Sequence, residues 1–213
     1  TRRSSDLKYP EVVVCVDTVS NAAGTEVKVD EWGIDICITS TQKCLGLPAG
    51  MAICTFSKKA VERAKKVTNR GVYFDLLGLY ECIQKKDYQY PSTPSLAHMF
   101  ALDYQLDKIL EEGLQNRFAR HIANAEIVRE WARKYFEIFP NENFLSNTLT
   151  NITNTKGISI SDLNKKLGEK GFIISNGYGK LKDKTFRIAH MAETTPEEMK
   201  ELLVIISDIL ELK

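Results

Sequence analysis

Ile34-Asp35-Ile36-Cys37-Ile38-Thr39-Ser40-Thr41-Gln42-Lys43-Cys44-Leu45-Gly46-Leu47-Pro48-Ala49-Gly50 is the stretch on which the reading of this chain turns. Residues 34–39 are apolar and β-branched, the pattern of a buried strand, so Gln42 and Lys43 stand at its carboxyl end. In open α/β sheets that end is where ligands bind. A Pro/Gly turn follows directly, and a lysine between strand and turn is held by backbone rather than free in solvent.

Working outward, residues 11–16 (Glu-Val-Val-Val-Cys-Val) read as a second strand that ends in a carboxylate, Asp17, before the small polar run Thr18-Val19-Ser20-Asn21-Ala22-Ala23-Gly24. Residues 51–56 read as a third strand and 58–66 as a helix, so the first 60 residues belong to an α/β domain. Over 70–95, Gly71, Gly78, Pro91 and Pro94 interleave with Tyr73, Tyr80, Tyr88 and Tyr90, which predicts an irregular segment around one short helix. From 95 to about 139, Leu96, Phe100, Leu102, Leu106, Leu110, Leu114, Phe118, Ile122, Ile127 and Trp131 recur at helical spacing around a break near Gly113. The remainder reads as strand (149–153), helix (159–167), strands (172–175 and 185–190) and a last helix over 196–210. That helix opens on Thr195-Pro196-Glu197-Glu198, with a capping side chain, proline in the first turn and acids beside it.

An aspartate and a lysine, each ending a strand, are the groups that a pyridoxal phosphate site needs: an amine to form a Schiff base and a carboxylate to keep the pyridine nitrogen protonated. With this pair in place the chain resembles the class V, fold-type I pyridoxal phosphate aminotransferases, in particular the alanine-glyoxylate and serine-pyruvate group. The resemblance rests on residues 17–24, on Asp30-Glu31-Trp32-Gly33-Ile34-Asp35, and on Ser40-Thr41-Gln42-Lys43 with Pro48-Ala49-Gly50. It extends to Tyr90-Pro91-Ser92-Thr93-Pro94 and to Lys184-Thr185-Phe186-Arg187-Ile188-Ala189-His190-Met191. It implies a catalytic, cofactor-linked Lys43 and cofactor contacts from Asp17, Gln42, Tyr90 and Thr93. Of these, Tyr90 and Thr93 would reach the phosphate of the neighbouring subunit in a homodimer with shared active sites. Arg187 would grip the substrate α-carboxylate, a task that suits a planar guanidinium.

The implied organisation is residues 1–95 as the C-terminal part of the large cofactor-binding α/β domain, 96–140 as linking helices, and 141–213 as a small C-terminal α+β domain. The resemblance covers only about the C-terminal half of the family's fold, so the glycine-rich phosphate cradle and the ring-stacking aromatic are expected upstream. The implied reaction moves an amino group from a small amino acid, alanine or serine, to a 2-oxo acid, glyoxylate or pyruvate. Lys43 would carry the proton between the substrate Cα and the cofactor. Two alternatives stand beside it. A lyase or desulfurase of the same fold usually has histidine before the lysine and, for desulfurases, a mobile cysteine, whereas this chain has Gln42 and no cysteine after Cys82. A non-catalytic fragment lacking the upstream half is the other.

Composition agrees with a soluble enzyme: 43% hydrophobic, 27% charged and a net charge of +1, with no apolar run near the roughly 20 residues of a membrane helix. The balanced charge disfavours nucleic acid as a partner. Five cysteines without a metal-type pairing point to a reducing cytoplasm, and Thr1-Arg2-Arg3-Ser4-Ser5-Asp6 lacks the apolar stretch of a signal peptide.

Each site residue also has a plainer reading. Lys43 alone could flank a turn, Asp17 could cap one, Arg187 could pair with a nearby acid, Gln42 could belong to the turn, and Tyr90 and Thr93 could pack before Pro94. His190, three residues beyond Arg187, points to the opposite face of a strand and reads as structural, while His98 and His121 lack a ligand pattern, so no metal is expected. Cys44 reads as a small packing residue, and Gly177-Tyr178-Gly179-Lys180 as a turn that either closes over substrate or simply joins strands.

Overall fold

Asp35 decides where the first sheet begins. In the computed structural model, which describes residues 8–85 and 89–213, the Val14 N–H donates to Asp35 Oδ2 at 2.9 Å, where a strand neighbour would otherwise accept. The expected strand over 11–16 therefore shortens to β1, Cys15–Asp17, and a turn bonded from the Val12 N–H to the Tyr9 carbonyl precedes it. β1 runs parallel to β2 (Ile36–Ser40), which pairs antiparallel with β3 (Ala52–Phe56) in the order β1-β2-β3. Burial opposes ionisation of Asp35. The Val14 N–H, the Ser57 hydroxyl and the Lys59 ammonium nonetheless hold its carboxyl below the usual range. Ser57 also caps α1 (Lys58–Lys65), and Asp75, bonded to Arg70 at 3.0 Å, caps α2 (Leu76–Ile83). The Thr1–Asp6 run and Tyr88, both singled out in the sequence, lie outside the described residues.

Contacts divide the chain into two units. The first takes the chain up to Val19 with Val27–Gln42 and Leu47–Tyr104; the second takes Ser20–Glu26, Lys43–Gly46 and Gln105–Lys213. The division falls inside α3 (Leu96–Glu112), which Gly113, at a φ of 83°, separates from α4 (Leu114–Tyr135).

In the second unit an antiparallel sheet has the order β4-β5-β7-β6, from β4 (Glu137–Ile138), β5 (Leu149–Thr153), β6 (Ser175–Asn176) and β7 (Thr185–Ala189). With α4, α5 (Ile160–Gly168) and α6 (Pro196–Ile209) it encloses a core of Val128, Phe136, Ile152, Leu167, Phe186 and Ile206. Ser159 caps α5, and Thr195 with Glu198 forms the reciprocal capping box of α6.

Two expected elements change here. The long helix stops at Tyr135 because Phe136 turns extended and buries its ring against Trp131 and Phe186, freeing the next residues to pair as β4. The strand over 172–175 shrinks to β6 because both backbone groups of Ile174 bond the Asn164 side-chain amide, at 2.9 and 2.8 Å, instead of a strand.

The helical period of α4 is as expected, but its first turns bury polar side chains, with Ala125, Val128, Trp131 and Ala132 buried further along. Leu114 and Ile122 are exposed, like Leu110 on α3, whereas Arg117, His121, Asn124 and Val128 are fully buried. Among the described residues no helix is long and apolar enough to cross a membrane.

Candidate active site

Local geometry fixes Lys43 from both sides. Upstream, Thr41 is fully buried. Its hydroxyl donates to the carbonyls of Pro48 (2.8 Å) and Met51 (3.2 Å), and its own carbonyl accepts from the Leu47 N–H, which closes the loop that β2 feeds. Downstream, the Gly46 N–H returns to the Lys43 carbonyl at 2.9 Å in a turn that needs glycine, since Gly46 has a φ of 72° and any Cβ there would stand 3.1 Å from that of Ala192. Lys43 itself is half-buried, and among the described residues its amine has neither an acid nor a hydrogen-bond partner. Cys44 is fully buried with its thiol on the Ser20 carbonyl, and burial pushes it up to about 11, so it packs as a neutral thiol.

Arg187, in the same unit as Lys43, lies on β7 opposite Asn151 of β5 and Ser175 of β6. Its Nε donates to the Asn176 carbonyl at 3.1 Å, and its guanidinium carbon stands 3.8 Å from the centroid of the Tyr178 ring. Among the described residues no carboxylate pairs with Arg187, which removes the plainest structural role for it. Tyr178 responds to both cations: interaction with Arg187 lowers its phenol below the ordinary value, and the charge of Lys43 adds to the effect. Opposite Arg187, Asn151 Oδ1 is buried without a hydrogen-bond partner. Lys43 and Arg187 thus both act on the Tyr178 phenol, and neither pairs with a carboxylate among the described residues.

Asp17 and Gln42 belong to the first unit. Asp17, at the end of β1, is exposed. Its Oδ1 accepts from the Val19 N–H at 2.9 Å, and no cation pairs with it among the described residues. The exposed Gln42 accepts from the Ser40 hydroxyl at 2.7 Å, leaving its amide N–H groups available. Tyr90 and Thr93 are exposed on the segment before α3, and no described hydrogen bond or ring contact ties them to Asp17 or Gln42. His190 is fully buried between the Thr150 hydroxyl and the Asn147 carbonyl, and burial pushes it down to about 4. No group of three or more His, Cys, Asp or Glu among the described residues could hold a metal ion.

The residue that sequence reasoning missed is Arg117, whose guanidinium bonds the carbonyls of Ala23 and Cys44. The signal was available in the spacing: Arg117, Arg120, His121 and Asn124 recur at helical intervals within a segment read as linking helices. Polar residues at such positions mark a buried network.

The family described as Aminotransferase class-V matches residues 5–202. The chain is 37% identical over 203 residues to an uncharacterized aminotransferase of Methanocaldococcus jannaschii, covering 94% of this chain and 52% of that protein. It is 31% identical over 208 residues to serine–glyoxylate aminotransferase of Arabidopsis thaliana, covering 95% and 51%. Among solved structures, alanine–glyoxylate aminotransferase of Nostoc sp. superposes with a TM-score of 0.88 over 99% of this chain and 57% of that one, at 24% identity. The chain spans about half the length of the curated relatives it matches. The fold is that of the fold-type I pyridoxal phosphate-dependent transferases, and the chain belongs to the class-V aminotransferase family.

Proposed function

We propose that the protein is a pyridoxal phosphate-dependent aminotransferase that moves an amino group from a small amino acid, alanine or serine, to glyoxylate or pyruvate. The observation that carries this reading is that Lys43 and Arg187 lie in one unit and both act on the Tyr178 phenol, with no carboxylate of the described residues paired to either. The donor set fits the cofactor and substrate, since an amine without a partner, a guanidinium without a carboxylate partner and a strand-end carboxylate without a cation are what an aldehyde, an α-carboxylate and a pyridine nitrogen require. Relatives named for transfer to glyoxylate from serine, aspartate or alanine support the acceptor class.

When bound, pyridoxal phosphate supplies an aldehyde for the amino group and an electron-withdrawing ring. In this reading the Asp17 carboxylate, steadied by the Val19 N–H, holds a proton at the pyridine nitrogen. Arg187, oriented by the Asn176 carbonyl and the Tyr178 ring, binds the substrate α-carboxylate through its outer edge. The Lys43 Nζ takes the proton from the substrate Cα and returns it on the other side of the reaction. Gln42, Tyr90 and Thr93 contact the cofactor, the last two across a homodimer with shared sites. The free state of all five cysteines favours a reducing cytoplasm. Residues 1–95, 96–140 and 141–213 would serve as the end of the cofactor domain, the linking helices and the small domain.

An absorbance titration with pyridoxal phosphate tests the reading. A visible band at roughly 410–430 nm, bleached by alanine or serine and lost in Lys43→Ala, is expected. A folded protein that takes up no cofactor, or a Lys43→Ala variant that keeps the band, sinks it.

A further inference from the structure

Arg117 is a fully buried arginine with every edge of its guanidinium engaged. Its Nε donates to the Ala23 carbonyl at 2.9 Å and its Nη2 to the Cys44 carbonyl at 2.8 Å. Its Nη1 meets Glu112 Oε2 at 2.7 Å and Glu193 Oε1 at 2.9 Å. All of these groups lie in the second unit. In sequence the three segments involved each adjoin a proposed site residue. The loop with Ala23 begins shortly after Asp17, Cys44 is the neighbour of Lys43, and Glu193 follows the strand that carries Arg187.

The surroundings leave these segments little slack. A Cβ on Gly24 would stand 2.7 Å from Cys44 Sγ and 2.7 Å from Thr148 Cγ2. The Cys44 thiol and the Thr148 hydroxyl both donate to the Ser20 carbonyl, at 3.3 and 2.7 Å. Ala23 holds a φ of 69°, a left-handed conformation that alanine disfavours and that aims its carbonyl at Arg117. Partial burial opposes ionisation of Glu112, but Arg120 and Arg117 hold its carboxyl below the usual range.

We infer that Arg117 is the positioning residue of the active site, bonding the loop of Ala23, the turn of Lys43 and the segment of Glu193 at one guanidinium so that the Lys43 amine is held in register with Arg187. This rests on the reading of Lys43 as the cofactor lysine. A lysine at position 117 would keep the charge but could not span two carbonyls and two carboxylates, because its ammonium is a point donor without a planar fork.

The test uses Arg117→Lys and Glu193→Gln in the protein as the cell makes it, checked for fold by circular dichroism and thermal unfolding. The first readout needs no cofactor: competitive acetylation of Lys43 across pH, normalised to the exposed Lys170 and read by peptide mass spectrometry. A folded Arg117→Lys is expected to change the Lys43 rate by roughly tenfold, because the turn that carries it loses its planar anchor. Glu193→Gln should change it less and in the same direction. The second readout is steady-state kinetics, where Arg117→Lys lowers kcat by roughly 10²-fold while the KM for the amino acid, set by Arg187, changes little. Wild-type acetylation of Lys43 in a folded Arg117→Lys overturns the inference. Should that variant not fold, wild-type acetylation in Glu193→Gln overturns it instead. A wild-type protein that takes up no pyridoxal phosphate removes the aminotransferase reading and leaves the acetylation comparison to decide the role of Arg117.

Discussion

The two units bury their apolar residues to very different degrees. The second closes a core on itself: Ile152, Leu167, Phe186 and Ile206 are fully buried beneath four antiparallel strands and three helices. The first has three strands of three to five residues, and Val72, Tyr73 and Phe74 are 95%, 90% and 85% exposed. Ile36, Phe56, Val61 and Phe74 also line an apolar groove of about 290 Å3 there. Sheets with parallel pairs are ordinarily covered on both faces. The chain spans about half the length of the curated relatives it matches, and among the described residues the second unit holds the closed core.

The largest effect expected from this contrast is on the closed core. Phe186→Ala should cost about 3–5 kcal/mol, while Phe56→Ala in the first unit should cost clearly less because its ring is only half-buried. Urea unfolding can follow each unit separately, since Trp131 reports the second and Trp32 the first once the other is changed to phenylalanine. Equal costs at the two phenylalanines would break the contrast.

Acid should sharpen it. Burial lowers His190 from 6.5 to about 4, so the native imidazole stays neutral where the unfolded one takes up a proton. Its contribution is fully present above pH 6.5 and is lost as the pH falls toward about 4, in total ~3 kcal/mol. Denaturation midpoints followed through Trp131 should fall across that window, and a flat profile would mean that the unfolded chain protects His190 equally. The smallest effect is local. Thr195→Ala removes the α6 cap and should cost about 1 kcal/mol in the Trp131 signal, leaving the Trp32 transition in place.

The local geometry around Lys43 was legible because its signals are short-range. A strand, a lysine and a Pro/Gly turn lie within seventeen residues, and the structure closes that turn through Thr41 and Gly46. Arg187 was legible as a strand residue, but that no acid pairs with it, and that Tyr178 stacks on it, depends on segments distant in sequence or on loop conformation. The buried face of α4 was not legible, because hydrophobic spacing gives the period of a helix and not the identity of its neighbours. Leu114 and Ile122 share the helical period with Arg117 and His121, yet only the second pair is buried.

What the sequence determined by itself is what adjacent residues can satisfy: the caps at Ser57, Ser159 and Thr195, the glycine turn after Lys43, and the alternation of strands and helices. Tertiary structure decided where the strands stop, because the side chains of Asp35 and Asn164 take backbone groups of Val14 and Ile174 that a ladder would otherwise use. It also decided what holds the lysine turn, because a buried guanidinium must find all its acceptors. Those of Arg117 come from Ala23, Cys44, Glu112 and Glu193, which only the folded chain brings together.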